Sequence, residues 1–304
     1  MVERVVYLHL GLHKTGTTSL QATCKINRFA LLAQGVIYPL FHCAENGRRG
    51  ISNHSIPLSA IFNRAGRLSP ADKFWRLKDL TSVCAAYRRT LEQVLVDNDR
   101  VLLSGEGLSA MALEDLQELV AFLRGAGATV FPLACVRSPY SHHCSAIQHA
   151  LRRAVKGRGP MVPLTRFKSQ LPKVRLLQQV FGEAITFLPF RQACAEPQGP
   201  VAAVLRRCGI DPAPLRLLRS NEGCSNHHFR QVWRELAEPA AQAWSPEQRQ
   251  QRLELLRSSD AGPKFALTAA EVDALRERLD VENQAFRQWL GDDFCDQNYP
   301  VVQD

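Results

Sequence analysis

The chain has 304 residues, with 38 Lys and Arg against 29 Asp and Glu, a net charge of +9. A hydrophobic share of 45% and a charged share of 22% are ordinary for a globular protein and argue against disorder. No apolar run approaches the roughly 20 residues of a membrane-spanning helix, and at this length folding buries roughly 75% of the surface of the unfolded chain. The first ten residues, Met-Val-Glu-Arg-Val-Val-Tyr-Leu-His-Leu, read as a strand with an acid near its start. They lack the basic and long apolar regions of a signal peptide, so a cytoplasmic setting is expected. The nine cysteines are odd in number, widely spaced and without a Cys-x-x-Cys, and are expected to be reduced structural thiols rather than bridges or zinc ligands. The positive balance favours an anionic partner of some kind.

In chain order, residues 4–10 read as a strand that ends in a glycine-containing loop, and a helix is predicted from about Thr17 to Leu32. Residues 39–71, punctuated by Pro and Gly, read as a long binding loop or lid. Asp72–Val96 reads as a helix, Arg100–Leu103 as a strand, Leu113–Arg124 as an amphipathic helix and Ala128–Val136 as a buried strand. Ser138-Pro139 is a good helix start, with Ser as cap and Pro at the first position, and that helix is expected to reach Val155. A helix at Thr165–Phe181 and a strand at Ala184–Pro189 follow. Beyond Gln192 the pattern is mostly helical, at 199–208, 226–242, 246–257 and 268–290. Strands alternating with helices predict an α/β fold with a central parallel sheet between helical layers. The economical organisation is a single domain, an α/β core over 1–190 with a mostly helical part over 191–304.

Between the first strand and helix lies Gly11-Leu12-His13-Lys14-Thr15-Gly16-Thr17-Thr18. A loop so placed points backbone N–H groups into one concavity at the positive end of a helix dipole, and Lys14 with three hydroxyls adds donors. This is a cradle for an oxyanion. The triphosphate loop G-x-x-x-x-G-K-[ST] needs its lysine after the second glycine, where this chain has Thr17, and the dinucleotide pattern G-x-G-x-x-G is absent.

The segment from Leu10 to Gln21 resembles the 5′-phosphosulfate loop of sulfotransferases that use 3′-phosphoadenosine 5′-phosphosulfate (PAPS), whose core is Lys-[Ser/Thr]-Gly-Thr-Thr after the first strand. The resemblance implies that Lys14 contacts the bridging oxygen and the 5′-phosphate, with Thr15, Gly16, Thr17 and Thr18 completing the cradle and His13 beside it. The same family places an Arg at a later strand end and a Ser eight residues on, both for the 3′-phosphate; here these are Arg137 and Ser145. Arg137 offers a charged fork to a phosphate dianion. The likeness spans about residues 4–190 and implies a P-loop-like fold. No Arg-Lys-Gly segment follows residue 190, which sets the chain nearer the bacterial and carbohydrate-type branch. Arg219 and Asn221 are candidates for a loop that closes over the nucleotide.

The implied reaction moves a sulfuryl group from PAPS to a hydroxyl or amine of an acceptor, a glycan or small molecule, with no metal. Two residues compete as base. Glu106 follows the strand at 100–103, flanked by glycines, where parallel sheets place their chemistry. His54, in the long loop, can titrate near neutrality. Two alternatives remain open: a P-loop kinase or ATPase, and a non-enzymatic polyanion binder using Arg152, Arg153, Lys156 and Arg158. That basic run has no interleaved stacking aromatics, so nucleic acid is not the expected partner.

Overall fold

The computed structural model describes residues 3–42, 50–63, 80–219, 223–258 and 262–303. Much of the predicted 39–71 loop, the start of the helix predicted at Asp72, Cys43 and Asn221 lie outside these residues.

The chain forms two compact units, the first from Met1–Val136 and Pro172–Leu218, the second from Arg137–Leu171 and Arg219–Asp304. At the centre of the first is a four-stranded parallel sheet in the order β2-β1-β3-β4, with β1 at Arg4–His9, β2 at Arg100–Ser104, β3 at Ala128–Val136 and β4 at Thr186–Pro189. Alternation along the strands sends side chains to two cores. Val6, Leu8, Val101, Leu103, Val130 and Ala134 face one; Leu102, Leu133, Cys135 and Leu188 face the other. Helices cover both faces, so the α/β three-layer arrangement predicted for this part is what forms.

On the first face pack α3 (Ser55–Ile61), α4 (Leu80–Asp97), α5 (Leu113–Gly125) and α7 (Leu171–Phe181). On the second pack α1 (Thr17–Ile26), α2 (Arg28–Leu32), α8 (Phe190–Ala195) and α9 (Pro200–Arg207). The single helix predicted over 17–32 is broken at Asn27, whose side chain donates to Thr23 O at 2.8 Å and Arg216 O at 2.9 Å. Asn competes for backbone groups in this way and so favours helix ends.

The second unit holds α6 (Pro139–Val155), α10 (Asn226–Ala237), α11 (Pro246–Leu255), α12 (Ala269–Asp273) and α13 (Arg276–Trp289), around Tyr140, Ile147, Leu151, Phe229, Phe265, Leu267 and Leu279. Two predicted helices are shorter than expected, for one reason. The helix predicted from Thr165 starts only at Leu171, next to Pro172, and that predicted to 242 stops at Ala237, before Pro239. Proline has no N–H and is accepted only in a first turn. The eight described cysteines are free thiols, and burial pushes Cys135 and Cys208 up to about 12. No described helix is long and apolar enough to cross a membrane.

Candidate functional site

In the first unit, the loop after β1 is sewn to the end of the neighbouring strand. Leu10 N donates to Leu133 O at 2.8 Å and Leu12 N to Cys135 O at 3.3 Å. Thr15 Oγ1 donates to Leu12 O at 2.6 Å, folding the loop back on itself. Lys14 sits in the left-handed region at φ 72°, and Gly16, the cap of α1, does so at φ 81°. A non-glycine residue in that region is strained, and such strain gathers at ligand clamps. The first amides of α1 have no intrahelical acceptor and face the loop with the positive end of the helix dipole.

The side chains divide by role. Thr15 is buried with its hydroxyl already used, so it can offer an anion only its backbone amide. Thr17 is buried and its Oγ1 has no partner among the described residues. Thr18 is exposed on the first turn of α1. At Gly11 a side chain would not fit, because a Cβ would stand 2.5 Å from Thr17 Oγ1.

Glu106 opens a short 3-10 turn, Glu106–Ala110, directly after β2. Its Oε2 lies 3.5 Å from Nδ1 of His13, both side chains being over a third exposed. An ion pair so open to water contributes at most about 1 kcal/mol. Backbone bonds do the holding. Gly105 N donates to His9 O at 3.0 Å, and Gly107 N donates to Ser55 Oγ at 2.8 Å. The flanking glycines follow from this, since a Cβ on Gly105 would stand 2.5 Å from Ser55 Oγ and 2.6 Å from Ser55 N.

His54, expected on an open loop, is fully buried instead. Its Nδ1 accepts from Ser104 N at 2.9 Å and its Nε2 donates to Pro39 O at 2.8 Å. The ring packs against Tyr38 and Phe41, with centroids 4.6 and 5.5 Å away. Burial lowers its pKa to about 4, opposed by the Pro39 bond. With both nitrogens engaged, this imidazole can take a proton only by giving up Ser104. It positions the end of β2.

His9, which motif reading passed over, lies beside it. Nδ1 of His9 is 2.9 Å from Ser104 Oγ, across the β1–β2 pair. Burial lowers this ring to about 4 as well, against the opposing charge of Glu106. From α1, Gln21 Nε2 reaches Ser104 O and Asn53 Oδ1, each at 3.2 Å. The only signal in the sequence was a histidine at the carboxyl end of a buried strand.

In the second unit, Arg137 stands just ahead of α6, and its Nε donates to Ser141 Oγ at 2.7 Å. Ser141 was missed; it lies four residues on, one helical turn before Ser145. Gln170 Nε2 holds the Arg137 carbonyl at 2.8 Å, and Gln170 N is in turn held by Glu282 Oε1 at 2.8 Å. Ser138 was expected to cap α6 with its own hydroxyl but makes no such bond. It donates instead to Asp296, whose other oxygen accepts from Tyr140 N at 2.7 Å. That carboxylate takes over the capping, and burial raises its pKa. The basic run is partly engaged too, since Arg152 reaches Leu256 O at 2.6 Å. Among the described residues no group of three His, Cys, Asp or Glu could hold a metal ion.

No protein-family model matches the chain, and no curated protein does. Two solved structures resemble it. One is a sulfotransferase from Alicyclobacillus acidocaldarius, 16% identical, covering 93% of this chain and 99% of that one at a TM-score of 0.42. The other is the sulfotransferase STF9 from Mycobacterium avium, 14% identical, covering 95% of this chain and 77% of that one at a TM-score of 0.36.

Proposed function

We propose that the chain is a sulfotransferase, moving the sulfuryl group of PAPS to a hydroxyl or amine of an acceptor, a glycan or a small molecule. The observation that carries this reading is the loop after β1. It joins a lysine held in the left-handed region, the N-terminal amides of a ten-residue helix and a buried hydroxyl without a partner among the described residues. That donor set fits the 5′-phosphosulfate end of the nucleotide, and a pre-aimed set of this kind stabilises charge as it develops on a leaving oxygen.

PAPS supplies the activated sulfuryl group, and its phosphate leaves as a stable anion, so the reading asks for no metal. Lys14 neutralises the departing phosphate oxygen, while the amides of Thr15 to Thr18 and the Thr17 hydroxyl orient it. Glu106 takes the proton of the attacking hydroxyl or amine and can pass it to water or to His13. His54 keeps the end of β2 in place and takes no part in proton transfer. Arg137 and Ser145 hold the 3′-phosphate, with Ser141 setting the tilt of the guanidinium.

Calorimetry with 3′-phosphoadenosine 5′-phosphate and with ADP, each with and without Mg²⁺, tests the reading. Tight binding of the bisphosphate without metal, tenfold to a hundredfold stronger than ADP, is expected, because ADP lacks the group that Arg137 pairs. Equal affinities, or an absolute need for Mg²⁺, would overturn it.

A further inference from the structure

Of the three buried side-chain polar atoms in the first unit that lack a partner among the described residues, Arg4 Nε lies elsewhere and the other two lie around the Gly11 backbone. They are His9 Nε2 and Thr17 Oγ1. The place that a Cβ on Gly11 would take is 2.5 Å from Thr17 Oγ1 and 3.4 Å from both His9 Cε1 and the Glu106 Cα. His9 is 1% exposed and Thr17 2%. A buried polar group without a partner is rare and asks for an explanation. Here two of them belong to residues that meet around the Gly11 backbone, at the base of the loop.

The other side of the His9 ring is anchored. Its Nδ1 meets Ser104 Oγ at 2.9 Å, and Ser104 is itself held through its backbone N by His54 and through its O by Gln21. The ring therefore cannot turn toward solvent. The Cε1 edge of the ring lies toward Gly11 at the base of the loop, and Thr17 carries a hydroxyl there without a partner among the described residues.

We propose that His9 is a positioning residue for the anion-binding loop, its Nε2 pairing with the Thr17 hydroxyl when the 5′-phosphate of the nucleotide enters. The inference rests on the reading of the loop given above. The pairing uses the neutral tautomer protonated at Nε2, in which the hydrogen bonds run in one direction. The Ser104 hydroxyl donates to Nδ1, the Nε2–H donates to Thr17 Oγ1, and the Thr17 hydroxyl hydrogen is left to point at a phosphate oxygen. The Thr17 hydroxyl then accepts from behind and donates ahead, which strengthens successive bonds. Burial supports the arrangement by keeping the ring neutral across the ordinary pH range. No proton changes owner; His9 sets a direction and carries no charge.

The two faces of the ring can be removed separately. His9→Asn keeps a polar group near Nδ1 to meet Ser104 and lacks Nε2, whereas His9→Gln extends an amide toward the Nε2 position. Affinity for 3′-phosphoadenosine 5′-phosphate, measured by calorimetry, is expected to fall about tenfold in His9→Asn and to recover largely in His9→Gln. Thr17→Val should lose about as much as His9→Asn, and the double variant no more than either, because residues that act through one bond are not additive. Wild-type affinity in His9→Asn, or additive losses, would overturn the proposal and leave the reading of the loop standing. Failure of the unaltered protein to bind the bisphosphate, or unchanged binding in Lys14→Ala, would overturn both. Ring nitrogen NMR of the unaltered protein decides the matter without relying on a variant's folding. The Nε2 resonance of His9 should shift when the bisphosphate saturates the protein, and an unchanged resonance refutes the pairing.

Discussion

Ser55 Oγ accepts the N–H of Gly107 at 2.8 Å, a bond between residues 52 apart in sequence that pins the turn bearing Glu106 to the start of α3. Gly105 is in the same embrace, with Ser55 N so near that a Cβ would stand 2.6 Å from it. The turn that carries the carboxylate is therefore placed by backbone packing.

Gly105→Ala should lower stability by about 1–3 kcal/mol, the usual cost of overpacking, because backbone rather than a flexible side chain must move. Turnover should fall at least tenfold as Glu106 is displaced. Gly125→Ala is the control: a Cβ there meets nothing within 4 Å, at the last residue of α5. It should be neutral or stabilising by about 0.5 kcal/mol. Urea midpoints and kcat for the two variants check the contrast.

Glu106→Gln keeps the shape of the side chain and removes the proposed proton acceptor. We expect kcat to fall by ~10²–10⁴ with nucleotide affinity intact. His54→Ala should act on the fold instead. It empties a buried site and strips Ser104 N and Pro39 O of their partner, which amounts to about 3 kcal/mol. A stable His54→Ala without turnover, beside an active Glu106→Gln, would reverse these roles.

Lys14→Ala should reduce turnover by about a hundredfold to a thousandfold while the protein stays folded, as for the loss of a pre-aimed oxyanion donor. The left-handed backbone at this residue suggests a companion variant. Lys14→Gly loses the same charge but relieves the strain of φ 72°. It should melt no lower than the unaltered protein and be equally inactive, as thermal unfolding and rate measurements on the pair will show.

Arg137→Ala removes the group proposed to distinguish a 3′-phosphate from a hydroxyl. The preference for 3′-phosphoadenosine 5′-phosphate over ADP should shrink to about threefold or less, through weaker binding of the bisphosphate alone. Competitive calorimetry with the two nucleotides measures it. An undiminished preference would place the 3′-phosphate elsewhere.

Stability should depend on pH through His9 and His54, both lowered from 6.5 to about 4 by burial. Between those values the unfolded chain binds protons that the folded chain refuses. Folding is thus favoured above pH 6.5 and loses up to about 1.4 kcal/mol per pH unit for each ring as pH falls toward 4, then levels off. His9→Asn and His54→Phe should each flatten that slope in denaturant titrations between pH 4 and 6.5. A slope unchanged in both would show that other groups set the acid limb.

What the sequence determined by itself was local. The strand, glycine loop and helix from Arg4 to Ile26, the strand Ala128–Val136 and the helix Pro139–Val155 were legible because side-chain periodicity, Gly and Pro act over a few residues. Lys14 and Glu106 stood out for the same reason, each between glycines at a strand end. What tertiary structure alone decided were the partners that use up a polar atom or leave it over. His54 reads as a loop base until Ser104 and Pro39 close on its two nitrogens, from 50 and 15 residues away. Thr15 and Thr17 look equivalent in sequence, yet one hydroxyl is used inside the loop and the other has no partner among the described residues. His9 carries no motif, and only the pairing of β1 with β2 brings it to Ser104, 95 residues on. Hydrogen-bond satisfaction depends on which atoms end up adjacent after the sheet is built, and residue spacing carries no record of that.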